Sequence, residues 1–341
     1  MKTLVIDARM IGPVGHGIAK YLEELVDQFG QESLFWKRLL SLVGASTWNE
    51  VRLLFVIRPE CPIDSPVRRF STIELDVSCY HPQSWISIPR ILRECGADLF
   101  FNPTFASYPA LPCPFVQAVH DLNHVHFGTI AQKLYYQILL RHSIKRAVSV
   151  FTVSRFIRSE ILKWAELPES KVEVFYNPIS APEKPSQELT DRVLTRFGLS
   201  AKGFFLSVSN PKPHKNLQML ISAHAEYCRQ AEGASLPLVI TVRPGEFLNA
   251  HSDLKLIGGV SPDELRVLYH SCKAFFFPSL YEGFGRPPVE AALSGAPVFA
   301  SDIPPHREAA SLFSVVMRFL PTEDRNAWRH GFLGEYSGGK S

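Results

Sequence analysis

The chain has 341 residues, 46% of them hydrophobic, and carries 36 Lys and Arg against 33 Asp and Glu. That length allows two domains of ordinary size, each burying its own core. A formal charge of +3 is too mild to argue for nucleic acid, although local basic clusters can still meet phosphates or anionic headgroups.

Short apolar runs rich in Val, Ile and Phe alternate with amphipathic stretches, the pattern of parallel sheets covered by helices, so the fold class is α/β. The N-terminus, M-K-T-L-V-I-D-A-R, reads as a strand rather than a secretory signal, and no run approaches the ~18 apolar residues of a membrane span. In the first half, strands are expected at 4–7, 52–57, 99–101, 115–119, 150–153 and 172–175. Helices are expected at 18–29, 85–95, 131–146 and 155–165, the last capped by Ser154. Three prolines and several polar residues break the periodicity over 177–187, which marks the linker between domains at 1–182 and 183–341. The second half repeats the alternation, with strands expected at 204–208, 238–242, 255–257, 274–277 and 298–300 and helices at 217–228, 262–269 and 288–293.

The most informative stretch is S-L-Y-E-G-F-G-R-P-P-V-E at 279–290, with Glu282 and Glu290 on either side of Gly283 and Gly285. Two glycines let a backbone approach a ligand closely, and Pro287 suits a first helical turn. Free amides and the positive dipole end of that helix favour a diphosphate, while the two carboxylates can accept hydrogen bonds from sugar hydroxyls. A tight turn with two solvent-facing glutamates is the plainer reading. After the apolar run 275–278, however, the stretch resembles the E-x7-E region of retaining glycosyltransferases, specifically glycosyltransferase family 4. The resemblance covers roughly 3–308, is strongest over 258–309, and departs at Arg286, where an apolar residue is common.

The resemblance implies two Rossmann-like domains facing across a cleft, the arrangement called GT-B. The first would be on the acceptor side and the second would bind the nucleotide sugar. The second domain reads as shortened, because the resemblance fades after Glu308 and a short Gly-rich tail follows. By family position, Glu282 holds hydroxyls of the donor hexose, Glu290 holds the nucleotide ribose, and Gly283, Phe284 and Gly285 line the donor.

The loop S-V-S-N-P-K-P-H-K-N-L at 207–217 puts Lys212, His214 and Lys215 between a strand and a helix, where α/β sheets gather anions. The resemblance makes Lys215 the main diphosphate lysine and Lys212 its helper, with Ser209 or Asn210 where the family often has an arginine. Near the N-terminus, Gly12, Gly15 and Gly17 form a strand-to-helix turn that does not fit a dinucleotide G-x-G-x-x-G. The family places the equivalents of Gly15 and Gly17 over the donor phosphates. Val119-His120-Asp121 ends a strand, and the family histidine here reaches the hexose; Asp121 either orients the ring or caps the next loop. Glu282, His120 and Lys215 are thus the expected catalytic set.

No D-x-D triplet is present to hold a metal on a diphosphate, so lysines and a helix N-terminus must balance the leaving charge. The six cysteines lack any C-x-x-C pair or His/Cys cluster at metal spacing and read as reduced thiols. Neither metal nor cofactor is expected, only a nucleotide-sugar substrate, GDP-mannose first and UDP-hexoses next. The function implied is retaining hexosyl transfer to a glycan or lipid-linked acceptor in surface polysaccharide assembly, in the cytoplasm or at the inner face of the plasma membrane. Two patches are membrane-contact candidates: Arg141, Lys145, Arg146, Arg155, Arg158 and Lys163, and the amphipathic segment 35–42. The competing readings are a catalytically degenerate sugar-nucleotide-binding protein and a sugar-nucleotide epimerase, for which no distinct acid/base set is visible.

Overall fold

Apolar runs of three to seven residues form strands wherever both faces of a sheet must be covered, and here they form two all-parallel sheets in two units, Met1–Pro178 and Ile179–Ser341. The computed structural model describes residues 1–12, 17–231, 233–246 and 251–334.

The first unit contains β1 (Lys2–Asp7), β2 (Val51–Ile57), β3 (Ser71–Glu74), β4 (Leu99–Asn102), β5 (Phe115–Ala118), β6 (Ser149–Thr152) and β7 (Val172–Val174). Their order is β3-β2-β1-β4-β5-β6-β7. β1 sits at the centre, in register with β2 from Lys2↔Val51 to Asp7↔Val56 and with β4 from Leu4↔Leu99. Helices Gly17–Asp27, Leu34–Val43, Ser84–Glu94 and Arg155–Ala165 are among those that flank it. Ser154 caps the last, accepting from the Ile157 amide. The run expected over 131–146 is one nearly continuous helix, with Ile130–Tyr135 passing through a π turn, Tyr136–Leu140, into Arg141–Arg146.

The apolar face of Leu34–Val43 is not available to a membrane. Phe35, Trp36 and Leu39 are buried, the Trp36 indole donates to the Leu25 carbonyl at 2.7 Å, and the Phe35 ring packs edge-on against Phe101 and Phe151. Its amphipathicity serves the core of the unit.

The second unit contains β8 (Phe205–Ser207), β9 (Leu238–Ile240), β10 (Leu254–Leu256), β11 (Ala274–Phe277), β12 (Val298–Ser301) and β13 (Arg318–Leu320), in the order β10-β9-β8-β11-β12-β13. As in the first sheet, strand order reverses beside the first strand of the unit, between β8 and β11. Ligands of such sheets collect at that switch point, beyond the carboxyl ends of the strands.

The segment after Glu308, where the resemblance fades, is folded into the second unit. It supplies the edge strand β13, paired in parallel with β12, and the helix Arg325–Leu333, started by the Asp324 side chain accepting from the Ala327 amide. That helix docks Trp328 and Phe332 into the core of the unit. The Phe332 ring stacks on Phe276 at 4.1 Å, Phe276 on Phe299 at 4.8 Å, and the Trp328 indole donates to the Pro321 carbonyl at 2.8 Å. Gly331 allows the close approach, because a Cβ there would lie 3.1 Å from Phe276 and 3.3 Å from Phe299. Trp328→Ala is expected to cost about 3–5 kcal/mol in denaturant unfolding; a loss below ~1 kcal/mol would show that this helix is not part of the core.

Candidate functional site

The carboxyl ends of β8 and β11 each give way to a polar loop. After β8, Lys212 and Pro213 open a single helical turn, Pro213–Lys215, and Asn216 takes a left-handed conformation before the helix Leu217–Gln230. After β11, the chain runs through Ser279 and Glu282 to Gly285 and the helix Arg286–Leu293. The Leu280 amide donates to the His214 carbonyl at 2.8 Å, which ties the two loops together.

Across this junction the Lys215 ammonium donates to the Glu282 carboxylate at 2.7 Å, the two side chains being only 14% and 12% exposed. Burial opposes charge on Glu282, but the Lys215 ammonium and its hydrogen bond override it and hold the carboxyl below its ordinary value. The Lys215 ammonium also lies 5.6 Å from the centre of the Phe277 ring. The result is a partly enclosed ion pair at the switch point of the sheet.

Gly285 has φ +90, and a Cβ on it would stand 2.6 Å from His306 Cδ2, so conformation and space both require glycine. His306 is fully buried, with Nδ1 2.9 Å from the Ser301 carbonyl. A carbonyl only accepts, so Nδ1 carries the proton and Nε2 presents a lone pair, which has no hydrogen-bond partner. Burial pushes this ring below the usual histidine range, leaving it neutral beside the ion pair. Sequence reasoning gave His306 no role; its trace is a histidine following two prolines after a buried strand.

The helix begins at Arg286, two residues earlier than expected, and this changes the anion site. Its first three positions are Arg286, Pro287 and Pro288, so two of the four amides normally left free are missing. Arg286 itself bonds Glu290 at 3.2 Å, and the Tyr269 hydroxyl donates to the other Glu290 oxygen at 3.3 Å. Glu290 is therefore buried and held from two sides, and Arg286 serves it instead of facing solvent. Lys212 is exposed at the rim of the loop, Phe284 is buried, and Gly283 is half-buried.

The remaining predicted residues belong to the first unit. His120 follows β5, with Nε2 2.8 Å from the Pro103 carbonyl and its ring edge-on to Tyr21 at 4.8 Å. The carbonyl fixes the proton on Nε2, so Nδ1 is the acceptor; burial pushes the ring below the usual range and keeps it neutral. Asp121 accepts from the Asn123 amide at 2.9 Å, at the start of the next turn. Gly17 is the first residue of its helix, and Gly15 lies outside the described residues.

Three further features were not anticipated. At the carboxyl end of β1, Asp7 and Arg9 form a fully buried bidentate pair at 2.8 and 2.7 Å, completed by Tyr108, Ser84 and the Val77 carbonyl. Its trace in the sequence is D-x-R directly after an apolar strand. His224, Cys228 and His251 converge in the second unit, which corrects the reading that no His/Cys cluster exists; His224 and Cys228 are one turn apart on a single helix, and His251 joins them from a separate segment. The basic patch is largely engaged: Arg141 and Lys145 pair with Glu166, Arg158 with Glu169 and the Val172 carbonyl, and Arg146 with the Pro109 carbonyl.

Comparison with known proteins agrees with this geometry. Residues 54–181 match the family described as Glycosyltransferase Family 4, and residues 197–314 match Glycosyl transferases group 1. The chain is 26% identical to the O-antigen chain mannosyltransferase RfbU of Salmonella typhimurium, over 72% of this chain and 67% of that one. It is 28% identical to O-antigen chain mannosyltransferase B of Escherichia coli, over 65% and 61%. It thus spans about two thirds or less of the length of these relatives. Among solved structures, Anabaena HepE in complex with UDP and glucose aligns with a TM-score of 0.67 at 17% identity, covering 98% of this chain and 89% of that one. WaaG, a glycosyltransferase involved in lipopolysaccharide biosynthesis, aligns at 0.66 and 14%, covering 97% and 90%. At such identities the structures speak for the fold alone, which is GT-B. Two parallel-sheet α/β units, each matched by its own glycosyltransferase domain family, identify the chain as a family 4 type glycosyltransferase.

Proposed function

We propose that the chain moves a hexose, mannose before a UDP-linked hexose, from a nucleotide sugar to a glycan or lipid-linked acceptor in surface polysaccharide assembly. The transfer retains anomeric configuration, uses no metal on the diphosphate, and takes place on the cytoplasmic side. The observation that carries this reading is the enclosed Lys215–Glu282 pair at the switch point of the second sheet. The names of the relatives, O-antigen chain mannosyltransferases, support mannose and a polysaccharide acceptor.

In the proposed reaction the bond between the anomeric carbon and the diphosphate oxygen breaks, and the acceptor hydroxyl oxygen bonds that carbon from the same face. The hydroxyl proton passes to the departing phosphate oxygen, so no separate protein base is needed. Lys215 balances the charge that grows on the leaving group, where a fixed cation in an enclosed site acts most strongly. Glu282 accepts from hexose hydroxyls, and Glu290, held by Arg286 and Tyr269, accepts from the ribose. The His120 Nδ1 lone pair is suited to accept from a hexose hydroxyl.

The acceptor side also bears on membrane contact. With much of the basic patch engaged, the stronger feature is an apolar stripe one turn apart along the interrupted helix: Ile130, Leu134 and Ile138 are 80%, 53% and 61% exposed. No helix among the described residues is long and apolar enough to cross a membrane. We assign this stripe to shallow insertion among headgroups. Co-sedimentation with anionic vesicles should fall several-fold in Ile130→Asp/Ile138→Asp; unchanged co-sedimentation would remove the assignment.

The catalytic assignment separates from stability in a double variant. Either Lys215→Met or Glu282→Leu leaves a partly enclosed charge unpaired, and each should lower stability, by up to about 3–5 kcal/mol. Together they should recover much of that loss, while transfer from GDP-mannose stays at least ~100-fold below wild type. Glu290→Ala should chiefly raise the donor KM. Near-normal transfer in the stable double variant would refute the role of the pair.

A further inference from the structure

The first unit carries aromatic side chains that the transfer chemistry leaves without a role. They stand beyond the carboxyl ends of its strands, at the switch point where β1 lies between β2 and β4.

Two loops present them, and buried polar networks clamp both. After β4, Asn102 donates to the Ala106 carbonyl at 2.7 Å and accepts from the Thr104 amide and hydroxyl at 3.1 and 2.9 Å. Gln117, on β5, accepts from Asn102 at 3.1 Å and donates to the Thr104 carbonyl. A satisfied buried network is rigid, so Phe105, half-buried within this loop, is held in place. After β3, the Arg9 guanidinium donates to the Val77 carbonyl at 3.0 Å and to the Ser84 hydroxyl at 2.8 Å, and that hydroxyl donates to the Ser78 carbonyl at 2.8 Å. Tyr80 lies inside this stapled segment. Arg9 also donates to the Tyr108 hydroxyl at 2.9 Å, so the buried Asp7–Arg9 pair ties both loops to the end of β1.

Tyr80 is 49% exposed, yet its hydroxyl is enclosed near the Phe105 backbone and Tyr135, and burial pushes it above the ordinary tyrosine range. Its tip is anchored while its ring meets solvent. The Tyr135 hydroxyl donates to the Phe105 carbonyl at 2.9 Å, and the Phe105 ring packs against Tyr136 at 5.6 Å and edge-on to His120 at 6.2 Å. Tyr80, Phe105 and Tyr135 thus form one aromatic wall. It carries no cation for a phosphate: Arg9 lies fully buried and paired with Asp7, and His120 is neutral. Rigid rings with two torsions lose little entropy on contact, and they match the apolar C–H face of a pyranose. Because the transfer reading sets His120 at the donor hexose, a sugar on Phe105 lies beside the reacting carbon.

We propose that Tyr80 and Phe105, backed by Tyr135, form an acceptor subsite that stacks on an uncharged pyranose ring. The proposal rests on the transferase reading and adds that the end of the acceptor entering the first unit is a sugar, not a phosphate or a lipid headgroup.

The test is saturation-transfer NMR on the full chain, with methyl α-D-mannopyranoside as the probe. Saturation should reach the ring C–H protons of the probe. Tyr80→Ala and Phe105→Leu should each lower it at least about threefold, whereas Tyr80→Phe, which keeps the ring, should preserve it. Ile63→Ser, at a residue 90% exposed outside the wall, should change nothing. Melting temperatures within about 3 °C of wild type check folding, and the exposed Tyr80 decides the matter if Phe105→Leu fails that check. No transfer at about 20 mM probe, transfer unchanged in Tyr80→Ala, or an equal loss in Tyr80→Phe would overturn the proposal. A chain stabilised by GDP or UDP that gives no transfer contradicts the wall alone; one that binds the pyranose but no nucleotide contradicts the transferase reading.

Discussion

A lysine and a glutamate from two adjacent loops, mostly removed from water and 2.7 Å apart, set the terms for the second unit of this glycosyltransferase. Enclosed charges persist only when paired, so the loops after β8 and β11 must stay in register with one another. The Leu280 amide on the His214 carbonyl and the forced glycine at 285 serve that register. The pair is also poised for exchange. In the proposed transfer an incoming diphosphate takes over the ammonium and hydroxyls of the attached sugar take over the carboxylate, so neither charge is left unpaired.

The same economy explains why Glu290 is held by Arg286 and Tyr269. A buried carboxylate facing a diphosphate would repel it unless compensated, and the arginine four residues earlier on the helix supplies the compensation. In the proposed donor site the two prolines before Val289 take amides away from the helix start, which leaves Lys215 the larger part in balancing a diphosphate. Arg286, which departs from the apolar residue common in the family, thereby acquires a reason.

Central strands were legible because both their faces are covered, which leaves continuous apolar runs such as Phe275–Phe277. The missed strands are the edges. β3 reads S-T-I-E, β13 reads R-F-L, and an edge strand needs only one covered face and few residues. The helices at Gln187–Phe197 and Arg325–Leu333 were obscured by neighbouring prolines and by polar composition, although each is started by a visible cap, Ser186 and Asp324. At the site, Glu282, Lys215 and Glu290 could be named because short motifs carry them, and the ion pair between the first two could be suspected only from proximity to a common strand edge. The setting of His306 beside Gly285, of Tyr108 on the Asp7–Arg9 pair, and of His251 on His224 and Cys228 joins residues far apart in the chain. Only folding creates such neighbours, and no local period records them.

The central claim is that the second unit receives a nucleoside diphosphate through Lys215, and thermal-shift measurement across nucleosides, nucleoside diphosphates and nucleotide sugars tests it most directly. A ligand at about 100 times its Kd should add about 2.7 kcal/mol to the folded state. GDP or UDP and their sugars should therefore raise the melting temperature, while the matching nucleosides and free hexoses should not. No shift with any nucleotide, or an equal shift with nucleosides lacking phosphate, would contradict the account.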